Sequence, residues 1–264
     1  MIIIGEKINA TRKSIAKAIA DRNADHIVKT ATQQAEAGAH YLDVNGGDPN
    51  AALEVANMEW LVNLIQEHSD LALSIDSANA EAMEVGLKLA KAKPILNSIS
   101  LEAERMDAFL PIVKRHECMV VALCMSDDGT PTGADDRVAR AEELLKALTA
   151  AGKKKEEIIV DPCFFPASAQ PDAARCLCEV IARIRQAHPE VHIGGGLSNT
   201  SYGLPKRRLV NLAMIALATY HGMDAALVDP CVPELVPMIL ASEALSGADE
   251  FCMNYVTASR EGRL

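Results

Sequence analysis

Short apolar runs alternate along the chain with longer segments whose apolar residues recur at helical spacing. The runs are "MIIIGEKI", "AHYLDVNG", "LALSIDS", "PILNSIS", "CMVVALCM", "EIIVDPCF", "VHIGGGLS" and "AALVDP". Their apolar density is that of strands buried on both faces of a parallel sheet. Between them lie segments such as "NMEWLVNLIQEHS", "AEAMEVGLKLAKA", "RMDAFLPIVKRHE", "DRVARAEELLKALTAAGK" and "ARCLCEVIARIRQAH". Their period of three to four residues predicts amphipathic helices. A last helix, "VPELVPMILASEAL", follows the eighth run. Glycine closes several of these segments, as in "EAGAH", "TAAGK" and "HGMDA", and so marks helix C-caps.

Eight strand-then-helix units in 264 residues predict an α/β fold, a (β/α)8 TIM barrel, with residues 1–264 forming a single domain. The competing architecture is an open doubly wound sheet. That fold places a Gly-rich phosphate loop after its first strand, and "IIIGEKINATRKS" contains none.

Charge narrows the function. The chain has 26 Lys and Arg against 36 Asp and Glu, a net charge of −10, and 3% aromatic residues. Nucleic-acid binders carry basic stripes, and single-strand binders add stacking aromatics, so no nucleic-acid partner is expected. The seven cysteines are scattered and odd in number, which predicts buried free thiols and no disulfide framework. No HxH pair occurs, and the one HxxxH spacing, His188 and His192 in "HPEVH", contains a proline and so does not sit on one helix face. Cys163 and Cys231 each follow an Asp-Pro, but a thiolate zinc site needs further ligands, so no metal site is expected. The start "MIIIGEKINA" lacks a basic region before its apolar run, and no stretch is long and apolar enough to span a bilayer. A cytoplasmic protein without a membrane partner is the expectation. Neither a G-x-S-x-G elbow nor a Walker loop is present.

A TIM barrel gathers its chemistry at the carboxyl ends of the strands. The polar residues there are Glu6 and Asn9, Asp43 and Asn45, Asp76 and Ser77, Asn97 and Ser98, Asp161, Ser198 and Asn199, and Asp229. Lys7, between Glu6 and Asn9, is the one cation beside this set, which holds no histidine. Each residue could also cap a helix or hold a turn. Together they form a ring of carboxylates and amides that suits a polar heterocycle rich in N–H donors, not a polyanion. In "IGGGLSNTSYG" the glycines are expected to let a flat ring approach the seventh strand closely, with Asn199 just beyond.

"IIIGEKIN", "YLDVNGG", "LSIDSAN", "ILNSIS", "IIVDP" and "GGLSNTS", in this order and spacing, resemble the pterin-binding methyltransferase family. Within it the chain is most similar to the free-standing methyltetrahydrofolate:corrinoid protein methyltransferases of anaerobic bacteria. The resemblance covers essentially the whole chain. It implies a homodimeric barrel that takes methyltetrahydrofolate or tetrahydrofolate as substrate. It also implies a separate corrinoid protein whose cobalamin meets the N5-methyl group. Carried over by position, Asp76 and Asn97 would bond the pterin ring. Asp161 would read its 2-amino and N3–H edge, and Asn199 would reach N5 as the catalytic group. Gly196, Ser198 and Arg207 would line the pterin and its tail, with Asp43 and Asn9 in the same pocket. Tyr202 departs from the family pattern, standing where a polar amide is expected. Two alternatives remain: a dihydropteroate synthase-like enzyme, and a folate-binding module without chemistry of its own.

Overall fold

The computed structural model describes all 264 residues. Eight parallel strands run in the order β7-β6-β5-β4-β3-β2-β1-β8. They are β1 (Ile2–Asn9), β2 (Tyr41–Asn45), β3 (Ala72–Asp76), β4 (Ile95–Leu101), β5 (Met119–Ser126), β6 (Ile158–Asp161), β7 (His192–Ile193) and β8 (Ala225–Val228). The seam between β7 and β8 is closed by backbone bonds. Asp224 N donates to Ile193 O at 3.1 Å and Leu227 N to Gly195 O at 3.0 Å, and Gly196 pairs with Leu227. The expected (β/α)8 barrel is therefore present.

Side chains of a strand point alternately to its two faces. One set faces the helices, as Leu42, Val44, Leu73, Ile75 and Leu96 do within the large core. The other set faces the barrel axis. Its floor is a separate apolar cluster of Ile4, Ile95, Met119, Val121, Ile159 and Ala225, with Ile2, Tyr41 and Leu227 packed against it. On five of the strands the next inward residue is polar: Glu6 above Ile4, Asp43 above Tyr41, Asn97 above Ile95, Asp161 above Ile159, and Asp229 above Leu227. The barrel is thus an apolar plug capped by a polar layer at its carboxyl end.

The helices around it are α1 (Lys13–Ala20), α2 (Ala24–Glu36), α3 (Ala51–His68), α4 (Ala80–Leu89), α5 (Ala103–Arg115), α6 (Ala134–Ala150), α7 (Ala173–Ala187), α8 (Arg207–Tyr220), α9 (Leu235–Ser246) and α10 (Met253–Arg260). Two features go beyond the periodicity. The first crossover contains two helices, because Arg22 turns left-handed at φ 50° and Asn23 caps the second by accepting from His26 N. Strand β7 is only two residues long, since the glycines after it leave regular geometry.

Local signals account for most helix ends. Asn50 and Asn79 each accept two backbone N–H groups at the starts of α3 and α4, as N-caps do. Gly38, Gly152 and Gly222, at the three predicted C-caps, have φ of 95°, 96° and 108°. No helix is long and apolar enough to cross a membrane.

Candidate active site

The polar layer is a linked network. Asp43 is fully buried, and its Oδ1 accepts from Ser74 Oγ at 2.7 Å and Asn97 Nδ2 at 3.1 Å. Its Oδ2 is buried with no partner. Asp76 Oδ2 accepts from Asn45 Nδ2 at 3.0 Å and Asn9 Nδ2 at 3.3 Å. Three amides and a hydroxyl from four neighbouring strands thus feed two carboxylates.

These carboxylates ionise reluctantly. Burial pushes Asp43 well above the usual range, and the negative charge of Asp76 adds to this, against the bonds from Ser74 and Asn97. Burial also raises Asp76, opposed by Asn45 and the Arg105 guanidinium. A charge costs most where water is excluded and no cation faces it.

Asp161 ends β6 on the opposite wall. Its Oδ1 accepts from Cys163 N at 2.9 Å, and burial lifts its pKa to about 6 against that bond and one from Gly196 N–H. Pro162, which follows it, is held by Arg137 of α6: the buried guanidinium donates from Nε to Pro162 O at 2.9 Å. A raised carboxylate with free acceptor capacity is poised for a ligand bearing N–H donors.

The glycine run also meets the protein itself at close range. A Cβ on Gly194 would lie 1.8 Å from Ala225 O, and one on Gly195 would lie 2.0 Å from Asp161 Oδ2. One on Gly196 would lie 2.9 Å from Asn199 Nδ2. What approaches these glycines is the protein itself: the seam strand, the Asp161 carboxylate and the Asn199 amide.

Asn199 lies in a 3-10 turn, Leu197–Ser201, and is exposed. It caps no helix, for Gly196 precedes the turn and Lys206 precedes α8. Its amide is carried over Gly196 toward the mouth. The Ser198 hydroxyl donates to Glu6 Oε2 at 2.9 Å. Arg207 donates to Ser198 O at 2.7 Å and to Ser201 Oγ at 3.0 Å, and its guanidinium lies 6.0 Å from the Tyr202 ring centre. It braces the turn and leaves a cationic edge beside it.

Sequence reasoning put Glu6 and Asn45 at the mouth but gave them no role, and it left Ser74 out. The signal was available: Ile2, Ile4 and Glu6 alternate inward as Tyr41, Asp43 and Asn45 do. The β1–β2 register shifts between Gly5 and Ile8, and such a bulge re-aims side chains near a site. Lys7 Nζ pairs with Asp229 at 3.5 Å. Cys163 N and Cys231 N each donate to the Asp two residues earlier, so both Asp-Pro-Cys segments are turns.

The model of the pterin binding enzyme family matches residues 5–229. The chain belongs to that family. Over 270 aligned residues it is 34% identical to a methylcorrinoid:tetrahydrofolate methyltransferase of Eubacterium limosum, covering all of this chain and 98% of that protein. It is 28% identical over 251 residues to a methionine synthase of Mycobacterium tuberculosis, spanning 90% of this chain but only 21% of that much longer protein. Solved dihydropteroate synthases share the fold. Those from Clostridium difficile and Xanthomonas albilineans superpose with TM-scores of 0.73 and 0.72 at 18% and 19% identity, covering 93% and 92% of this chain and 96% and 91% of theirs.

Proposed function

We propose that this protein is a methyltransferase moving the N5-methyl group between methyltetrahydrofolate and the cobalt of a corrinoid protein. The observation that carries this is the pairing of Asp161, an acceptor wall for pterin N–H groups, with the uncommitted amide of Asn199 across Gly196. The whole-length similarity to a methylcorrinoid:tetrahydrofolate methyltransferase supports the same reading.

The residues fit a reduced folate. Asp161 would accept from the 2-amino group and N3–H, making charge-assisted bonds. Asp76 and Asn97 would bond the ring from β3 and β4, and the unpartnered Asp43 Oδ2 offers one more acceptor from the polar layer. Asn9 holds Asp76. Gly196 would line the ring beside the Asn199 amide, and Arg207 would face the anionic tail. The corrinoid, delivered by a separate protein over the strand ends, supplies the nucleophile that takes the methyl group.

The chain's own task is at N5. A ring amine leaves only if its nitrogen gains positive character as the C–N bond breaks. Asn199 donates a hydrogen bond to N5, and that bond strengthens as the lone pair returns to nitrogen. An amide cannot give up a net proton at neutral pH. The proton that completes tetrahydrofolate comes from solvent or from the raised Asp43–Asp76 pair. In the reverse direction, the one that the name of the Eubacterium limosum relative describes, the same groups receive that proton.

A homodimer accords with the surface. Helix α9 is apolar nearly all round, yet only Leu235, Ile239 and Ser242 are buried. Leu217 and Tyr220 of α8 and Leu245 of α9 are 50%, 71% and 83% exposed. A helix apolar on all sides is normally covered, and a second subunit would cover it. The mouth lies at the other end of the barrel layer, free for the corrinoid protein. We place this chemistry in the cytoplasm.

The test is anaerobic incubation with methyltetrahydrofolate and reduced cobalamin, beside a parallel incubation with a pterin pyrophosphate and p-aminobenzoate. Methylcobalamin in the first and no dihydropteroate in the second is the expected result. The opposite pattern would make the protein a synthase. Folate binding without either product would make it a binding module.

A further inference from the structure

Glu6 forms a contact that substrate recognition does not explain. It lies in the β1 bulge opposite Asp43, and its side chain is only 15% exposed. Oε1 accepts from Arg12 Nη2 at 2.7 Å and Oε2 from Ser198 Oγ at 2.9 Å. Glu6 and Ser198 are 192 positions apart in the chain. Both carboxylate oxygens are therefore committed within the protein, and Ser198 directly precedes Asn199.

The 3-10 turn has other ties, but they run elsewhere. Arg207 holds it from the start of α8. Ala167 N donates to Thr200 O at 2.9 Å, and Ser168 Oγ to Tyr202 O at 2.8 Å, from the loop after β6. The side-chain tie from the turn to β1 is the Glu6–Ser198 bond. A cavity of about 40 Å³ lies behind it, lined by Glu6, Ser198, Asn211 and Asp229 among others. The Asn211 Oδ1 atom there is buried without a partner. The turn therefore has space to sag when the tie is cut.

The bulge that aims Glu6 is itself held in place. Lys7 N donates to Gln34 Oε1 of α2 at 2.9 Å. Gln34 reaches it because position 5 has no side chain: a Cβ there would lie 2.6 Å from Gln34 Oε1. A chain of contacts thus runs from α2 through Gly5 and the bulge to Glu6, Ser198 and Asn199.

We propose that Glu6 is a positioning residue for Asn199: held by Arg12, it clamps the Leu197–Ser201 turn through Ser198 so that the neighbouring amide meets N5. This rests on the methyl-transfer reading above. Burial raises the Glu6 pKa, against the pull of Ser198 and Arg12, so the charge is held in place by these partners and not by solvent.

The test is a double-mutant cycle in single-turnover methyl transfer from methyltetrahydrofolate to cob(I)alamin, with affinity and melting temperature taken on the same preparations. Glu6→Ala should slow transfer by about 10- to 50-fold, because a misplacement near 1 Å can cost about a hundredfold. Methyltetrahydrofolate affinity should stay within about threefold. Ser198→Ala should match it. Glu6→Gln should recover most of the rate, since its carbonyl still accepts from Ser198. In an Asn199→Ala background, Glu6→Ala should add less than about twofold, because residues acting through one another are non-additive. Full additivity, or a Glu6→Gln variant as slow as Glu6→Ala, overturns the proposal while leaving the methyltransferase intact. Absence of transfer by the unaltered protein overturns both.

Discussion

Gly195 leaves open the space that the carboxylate of Asp161 fills, since a Cβ at position 195 would stand 2.0 Å from Asp161 Oδ2. Its neighbour Gly194 does a different job, with Ala225 O 1.8 Å from the corresponding point. Alanine at the two positions should therefore fail differently. At Gly194 the clash is backbone against backbone on the barrel seam. Gly194→Ala should lose stability at or beyond the ~1–3 kcal/mol typical of overpacking. At Gly195 the clash is with a side chain, Asp161, whose Cγ would stand 2.2 Å away and which must leave its rotamer, so Gly195→Ala should keep more of its melting temperature but lose folate affinity. Parallel losses of melting temperature and affinity in both variants would contradict the assignment.

Asp161 should set the pH dependence of binding. Its pKa in the free protein is about 6, and only the ionised form accepts two N–H donors. Affinity for methyltetrahydrofolate should be flat above about pH 7 and fall toward tenfold per unit below 6. Asp161→Ala should cost about 2–4 kcal/mol of binding by analogy with other buried charged contacts and remove that pH dependence. Calorimetric titration from pH 5 to 8 checks both, and a flat wild-type profile would remove Asp161 from the ligand.

Asp43 should trade stability for function. Its folded pKa lies well above the unfolded value, through burial and then the charge of Asp76. The folded protein thus holds this proton more tightly. The resulting stability is fully present below the unfolded pKa of ~3.9 and is lost as pH rises through the folded value. Asn at this position keeps an acceptor for Ser74 and Asn97, which both use Oδ1, and carries no charge. Asp43→Asn should melt above the wild type at pH 8, with the gap closing toward pH 4, while methyl transfer slows. Equal melting temperatures at pH 8 would show that Asp43 ionises there without cost.

Much of this was legible in the sequence. Alternation separates the inward set Ile2, Ile4, Glu6 from the outward Ile3, and the same period sets Asp161 above Ile159. The strand ends were therefore readable as a polar layer. The partners of those residues were not. A bulge between Gly5 and Ile8 leaves no mark in hydrophobic periodicity, and the Ser198–Glu6 bond joins opposite ends of the chain. The glycine run announced a close approach, but not that the approaching atoms belong to Ala225, Asp161 and Asn199. The two-helix crossover was hidden because its break depends on a left-handed Arg22, a conformation that residue type does not signal.

The central claim is that the mouth transfers a methyl group with Asn199 acting at N5. Single-turnover transfer to cob(I)alamin, measured beside methyltetrahydrofolate affinity for the wild type and Asn199→Ala, tests it most directly. Removing one preorganised donor costs about 10²–10³ in rate, whereas one neutral hydrogen bond is worth on the order of 1 kcal/mol in binding. The account predicts methylcobalamin from the wild type, a variant slower by that factor, and affinity reduced by no more than about tenfold. A wild type that forms no methylcobalamin, or a folded Asn199→Ala variant that turns over at the wild-type rate, would contradict it.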